Sequence, residues 1–240
     1  MRTGQVPNIA FISPKGGAGK TTAALLLALG LNARGRKVAM IDSDPNKPLV
    51  HWASLPERPP SISVHPAPTV QDIRDAVREA SRRGPDWFIV DTEGSERGAM
   101  VFAALRFDLA LTPVAGSQLD LREAIKAARM TEAFGKRAGS ALAHRAFLTR
   151  VPPALKPRTL ATVVAGLRAA EVKMLPTGLV EKEAFRALFA IGGGFGALEA
   201  AGVWGVAAAR HNTESFVRDI VDLVRRPDAA GSRLAAEVHG

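Results

Sequence analysis

Pro14-Lys15-Gly16-Gly17-Ala18-Gly19-Lys20-Thr21-Thr22 stands between two apolar segments, Asn8–Ser13 and Thr21–Ala33. The first reads as a buried strand and the second as a helix that Gly35 ends. A glycine-rich loop between a strand and a helix turns several backbone N–H groups inward with no Cβ in the way. The helix N-terminus adds its partial positive charge. Such a loop cradles a phosphate chain: Lys20 can reach the β- and γ-phosphates, and the Thr21 hydroxyl can ligate Mg2+.

Outward from this loop the hydrophobic pattern alternates between short buried runs and longer amphipathic stretches. Lys37–Asp42 and Asp86–Asp91 read as strands, followed by Asp108–Thr112 and Arg145–Thr149. Helices are expected near Val70–Val77 with Thr69 as N-cap, near Arg97–Arg106, and over Leu119–Phe134, Lys156–Ala170, Glu181–Ala190 and Asn212–Arg226. The segment Pro56–Pro68 reads as a Pro-rich connection. Strands separated by helices predict right-handed crossovers. The fold class is therefore α/β, a single domain with a mostly parallel twisted sheet covered by helices on both faces. Residues 1–226 form that domain, and 227–240 are expected to be a flexible tail. Sheets of this kind bind ligands at the carboxyl ends of their strands. Here those ends carry the glycine loop, Asp42 and Asp91.

Composition narrows the chemistry. The 240 residues contain no cysteine, which excludes a disulfide framework, thiol catalysis and any thiolate metal site supplied by this chain. The longest apolar run, Thr22–Leu31, is about half the length needed to span a bilayer. No signal-type apolar core follows Met1, so a cytoplasmic location is expected. The net charge of +9 adds weight to an anionic partner such as nucleic acid.

The loop departs from the common Gly-x-x-x-x-Gly-Lys-Thr pattern, since Pro14 occupies the first glycine position and Lys15 follows it. Lys15-Gly16-Gly17-Ala18-Gly19-Lys20-Thr21 resembles the deviant Walker A motif of the ParA/MinD superfamily of P-loop NTPases. That resemblance implies ATP and Mg2+ as cofactors, with Gly16, Gly17, Ala18, Gly19, Lys20, Thr21 and Thr22 holding the phosphates. It implies that Lys15 reaches across a homodimer formed with ATP to the partner's phosphates, neutralising charge as phosphoryl transfer proceeds. Asp42-Ser43-Asp44-Pro45-Asn46 looks like the family's switch I, with Asn46 in place of the commoner Gln. Asp44 would then position or deprotonate the attacking water, and Asp42 would support the metal shell beside Thr21. Asp91 fits the Walker B carboxylate for Mg2+, and Thr92-Glu93-Gly94-Ser95 stands where switch II is expected, without its usual prolines.

The later matches are shorter. Pro113 and Ser117-Gln118-Leu119-Asp120 resemble the segment after the next family strand. Thr149-Arg150-Val151-Pro152, Leu175-Pro176 and Glu181-Lys182-Glu183-Ala184-Phe185 resemble the adenine-side loops, placing Arg150 and Lys182 among the nucleotide-binding residues. Relatives bind DNA non-specifically through late basic residues, here Arg186, Arg210, Arg218, Arg225 and Arg226, with Arg78, Arg82 and Arg83 as a rival face. Lack of cysteine argues against the iron-protein branch, and length against the two-domain pump branch. The sequence is most similar to small plasmid-type ParA proteins, and Lys47-Pro48-Leu49-Val50-His51-Trp52 resembles the Vir-type homologue of conjugative transfer.

The expected function is a slow, dimerisation-dependent ATPase that holds non-specific DNA when ATP-bound, answers to an adaptor of ParB type and positions a plasmid. No membrane partner is expected. The alternatives are a positioning ATPase for a conjugation complex or protein cluster, a MinD-like membrane-associated regulator, a small-molecule kinase on the same fold, and a nucleotide-dependent scaffold.

Overall fold

The computed structural model describes residues 6–13, 15–94, 101–139, 142–151 and 158–225. Within them, β1 (Asn8–Phe11), β2 (Val38–Asp42), β3 (Ile62–Pro66), β4 (Trp87–Asp91), β5 (Leu109–Val114) and β6 (Ala143–Leu148) build one sheet. The strand order is β3-β2-β4-β1-β5-β6, and every pairing is parallel. A parallel sheet needs both faces covered, and all five residues of β2 and of β4 are buried accordingly.

The helices are α1 (Lys20–Asn32), α2 (Pro48–Ser54), α3 (Val70–Ser81), α4 (Val101–Ala104), α5 (Gln118–Arg137), α6 (Arg158–Ala169), α7 (Glu183–Ile191), α8 (Phe195–Ala200) and α9 (Val206–Arg225). α1 is apolar all round because it lies between the sheet and α9. Leu25, Leu26 and Leu27 have no exposed surface; burying each contributes about 1.5–3 kcal/mol. On this face Phe147 of β6 meets Phe11 edge-on at 6.1 Å and Phe216 of α9 at 5.1 Å. On the other face Ile73 and Ala76 of α3 and Ala127 of α5 cover Ala10, Ile41, Val90 and Ala110.

Five elements differ from the sequence expectation. The Pro-rich connection contains the edge strand β3, and α2 lies just before it. Val38 donates to the Ser61 carbonyl and Ala67 to that of Asp42, so alternate residues of this strand face β2 and Pro66 faces outward. A proline without an N–H is tolerated on that outer edge, which is why proline content concealed the strand. α9 begins at Val206, before the expected Asn212, and α8 precedes it. β5 runs through Pro113 to Val114, beyond Thr112. Arg97–Met100 of an expected helix, Pro14, Ser95, Pro152, Arg226 and the 227–240 tail lie outside the described residues. No described helix is long and apolar enough to cross a membrane.

Candidate nucleotide-binding site

The strand order puts the chemistry in one row. β4 lies between β1 and β2, with Phe11 registered against Asp91 and Asp42 against Asp91. The glycine loop leaving β1 and the two carboxylates therefore share one carboxyl edge of the sheet.

Gly17 and Gly19 adopt φ of +77° and +98°, which residues with a side chain rarely do. Gly19 is the N-cap of α1. No side chain bonds to the cap, and the first turn holds no acidic residue. The first N–H groups of a helix have no intrahelical partners, so this terminus is open to an anion. Lys20 is 5% exposed, and its ammonium lies 3.5 Å from the Lys15 carbonyl oxygen. Burial lowers its pKa, against the opposing pull of Asp91, Asp44 and Glu93. Lys15 differs: its side chain is 46% exposed and points to Asp120, Nζ to Oδ1, at 3.5 Å.

Asp91 is fully buried, and neither carboxylate oxygen has a hydrogen bond of normal geometry. Burial pushes its pKa up to about 7, against the neighbouring Thr21 hydroxyl and the Lys20 ammonium. An unsatisfied buried carboxylate beside a threonine hydroxyl fits a divalent cation held partly by phosphate and water, as Mg2+ usually is. The described residues contain no group of three or more His, Cys, Asp or Glu that could form an all-protein metal cage. Asp42 is occupied differently. Its Oδ1 accepts from the Asp44 N–H at 3.2 Å, and its Oδ2 from the Leu49 and Val50 N–H groups at 2.9 and 3.0 Å. It thereby caps α2 from a distance, with Pro48 in that helix's first turn. Burial raises its pKa despite those three donors. Asp44 is half-buried and accepts from the Asn46 backbone and side-chain amides at 2.8 and 3.0 Å.

Gly94 packs directly on the phosphate loop. A Cβ there would lie 2.5 Å from Gly16 Cα and 2.8 Å from the Lys15 carbonyl carbon, so only glycine fits this approach. The sequence carries no local signal of this contact. The Lys15–Asp120 pair is hidden for a similar reason, since its partners are 105 residues apart.

A pocket of about 500 Å³ opens beside the loop, reached from Gly19 and Thr22 and closed by Thr149, Arg150, Lys182 and Phe185. The two segments expected at the base side do meet: Val151 donates to the Leu179 carbonyl and Glu181 to that of Val151. The Thr149 hydroxyl donates to the Ala18 carbonyl at 3.0 Å, tying β6 to the loop.

The late arginines divide into two kinds. Arg186 bonds Glu183 at 2.9 Å and also Glu181, and Arg210 bonds Glu199 at 2.7 Å while lying over the Phe195 ring. Arg218 and Arg225 are exposed on α9 and form no ion pair among the described residues.

A strand, an uncapped glycine-rich helix start and a buried carboxylate at the end of the neighbouring strand define a P-loop protein. The chain belongs to the VirC1 protein family, whose model matches residues 6–213. It is 30% identical over 215 residues to Protein ParA of Rhizobium radiobacter, covering 90% of this chain and 96% of that one. Protein virC1 of Rhizobium rhizogenes is 35% identical over 127 residues, which span 50% of this chain and 54% of the relative. Among solved structures, a complex of a Cyanothece McdA variant with ATP superposes with a TM-score of 0.69 at 15% identity, covering 90% of this chain and 96% of that one. At that identity the likeness shows the fold.

Proposed function

We propose that this chain is a Mg2+-ATP-dependent ATPase that dimerises on ATP, binds DNA through phosphate contacts and positions a cargo, a plasmid in the first instance. The observation that carries the reading is the contrast between the loop's two lysines. Lys20 is buried among Asp91, Asp44 and Glu93, while Lys15 stays on the surface. A lysine that served its own nucleotide would gain from burial beside it; one that serves a partner's must remain outside.

Thr21 and Asp91 would hold Mg2+, which would neutralise phosphate charge and orient the triphosphate. Gly16 to Thr22 bind the phosphates through backbone N–H groups and the α1 terminus. Lys20 donates to the terminal phosphates, and Asp44 aligns the attacking water in line with the bond that breaks. Lys15 of the second protomer supplies the remaining positive charge, which ties turnover to dimerisation. Leu119, 50% exposed and one residue from the Asp120 that Lys15 contacts, gives the same face an apolar contact. The base lies in the pocket lined by Arg150 and Lys182. The McdA complex with ATP supports this choice of nucleotide.

Arg218 and Arg225 are the first candidates for DNA contact, because their guanidinium groups need not break an ion pair to meet a phosphate. Arg186 and Arg210 would have to leave carboxylates. Band shifts on random-sequence DNA test this, comparing ATP, ADP and no nucleotide at two salt concentrations. ATP-dependent, salt-sensitive binding that weakens on every sequence in Arg218→Glu/Arg225→Glu is expected. Equal or absent binding in all three nucleotide states removes DNA as the track and turns the reading towards a protein scaffold.

A further inference from the structure

Glu181 lines the pocket beside the phosphate loop. A carboxylate in a base pocket is a hazard for an enzyme meant to take adenine. Guanine carries adjacent N1–H and N2–H donors that a carboxylate accepts as a pair, whereas adenine presents an acceptor at N1 that a carboxylate repels. In this structure the carboxylate is already engaged. Arg186, one turn into α7, spans Glu181 and Glu183: one guanidinium nitrogen bonds Glu181 Oε1 and the other bonds Glu183 Oε2 at 2.9 Å. Arg186 lines the same pocket.

We propose that Arg186 is a specificity-determining residue that makes the pocket prefer adenine to guanine, by occupying the Glu181 carboxylate that the guanine N1–H and N2–H donors would otherwise use. This rests on the reading of that pocket as the base site. Glu183 matters because it holds the guanidinium from the second side. Arg186 is 61% exposed, and a single exposed ion pair would be too weak to hold its place. The two carboxylates give the fork two anchors, Glu181 just before α7 and Glu183 at its first residue.

The test is equilibrium binding of ATP, GTP and inorganic tripolyphosphate to the wild type, Arg186→Ala and Arg186→Ala/Glu181→Ala. Arg186→Gln serves as a second replacement of similar length. The wild type should bind ATP more tightly than both GTP and tripolyphosphate. In Arg186→Ala and Arg186→Gln the ATP:GTP affinity ratio should fall by about tenfold or more, with GTP binding strengthened in absolute terms. The double variant should lose that GTP gain, because the freed carboxylate is gone. An unchanged ratio in both single variants, or an equal loss for ATP and GTP, would overturn the role of Arg186 while leaving the base pocket standing. A GTP gain that survives in the double variant would also overturn it. A wild type that binds tripolyphosphate, ATP and GTP alike would overturn the base-site reading itself.

Discussion

α1 and α5 begin within reach of each other and are finished in opposite ways. α5 carries a complete capping box: the Ser117 hydroxyl accepts from the Asp120 N–H at 3.1 Å, and the Asp120 carboxylate takes the Ser117 N–H at 3.0 Å. α3 has the same device in Thr69 and Asp72. α1 has none, and its first turn contains no acid. Two helices of one chain show that capping was available to this sequence. A bare N-terminus on α1, with Gly19 as its cap, gives up only about a few tenths of a kcal/mol of helix stability and leaves its donors for a ligand. The two termini are joined by Lys15, which leaves the open one to touch the carboxylate of the closed one.

Three changes break or sharpen that contrast. The largest effect is expected from Lys20→Ala, which removes the buried cation at the open terminus. ATP affinity should fall by about tenfold to a hundredfold in calorimetry, and unchanged affinity would contradict the loop assignment.

The next concerns Asp91, whose carboxyl is raised to about 7 by burial. A metal needs it deprotonated, so Mg2+-dependent ATP affinity should rise about tenfold between about pH 6 and pH 8. Asp91→Asn should flatten that rise. Without metal the sign is opposite. A carboxyl with a raised folded pKa binds more protons folded than unfolded, so stability falls as pH climbs from the ordinary carboxylate range towards 7. Denaturant melts across that range in wild type and Asp91→Asn read the difference.

The smallest effect is on the closed terminus. Asp120→Ala should cost about 1 kcal/mol in urea unfolding. Burial pushes the Asp120 carboxyl up, but the Ser117 hydroxyl and N–H and the Lys15 ammonium outweigh it, and its pKa is lowered. That contribution is therefore fully present at neutral pH and is lost as pH falls below the ordinary carboxylate range. A variant with the wild-type acid-unfolding midpoint would contradict the cap.

Most of the fold is legible because its signals are local. Asn8–Phe11, Val38–Asp42 and Trp87–Asp91 are short apolar runs, and the first and third ride straight into the phosphate loop and the unsatisfied aspartate. Thr69 is readable as a cap because Val70, Ile73 and Val77 after it recur at helical spacing, and the structure adds Asp72 as its partner. β3 is hidden, since Pro66 and the prolines that flank it signal a loop and only the edge position makes Pro66 harmless. Gly94 against Gly16 and Lys15 with Asp120 are tertiary juxtapositions, and side-chain type alone announces neither of them. Asp42 is legible as a residue of the site but not as the remote cap of α2, because the N–H groups it accepts from stand seven and eight residues on.

The account turns on Lys15 serving a second protomer, and mass measurement by light scattering after gel filtration tests it directly. With Mg2+ and a non-hydrolysable ATP analogue, the wild type should run at twice its monomer mass, and at monomer mass without nucleotide. Lys15→Gln should stay monomeric in both while still binding the analogue. A Lys15→Gln dimer as complete as that of the wild type, or a wild type that remains monomeric when saturated, would contradict it.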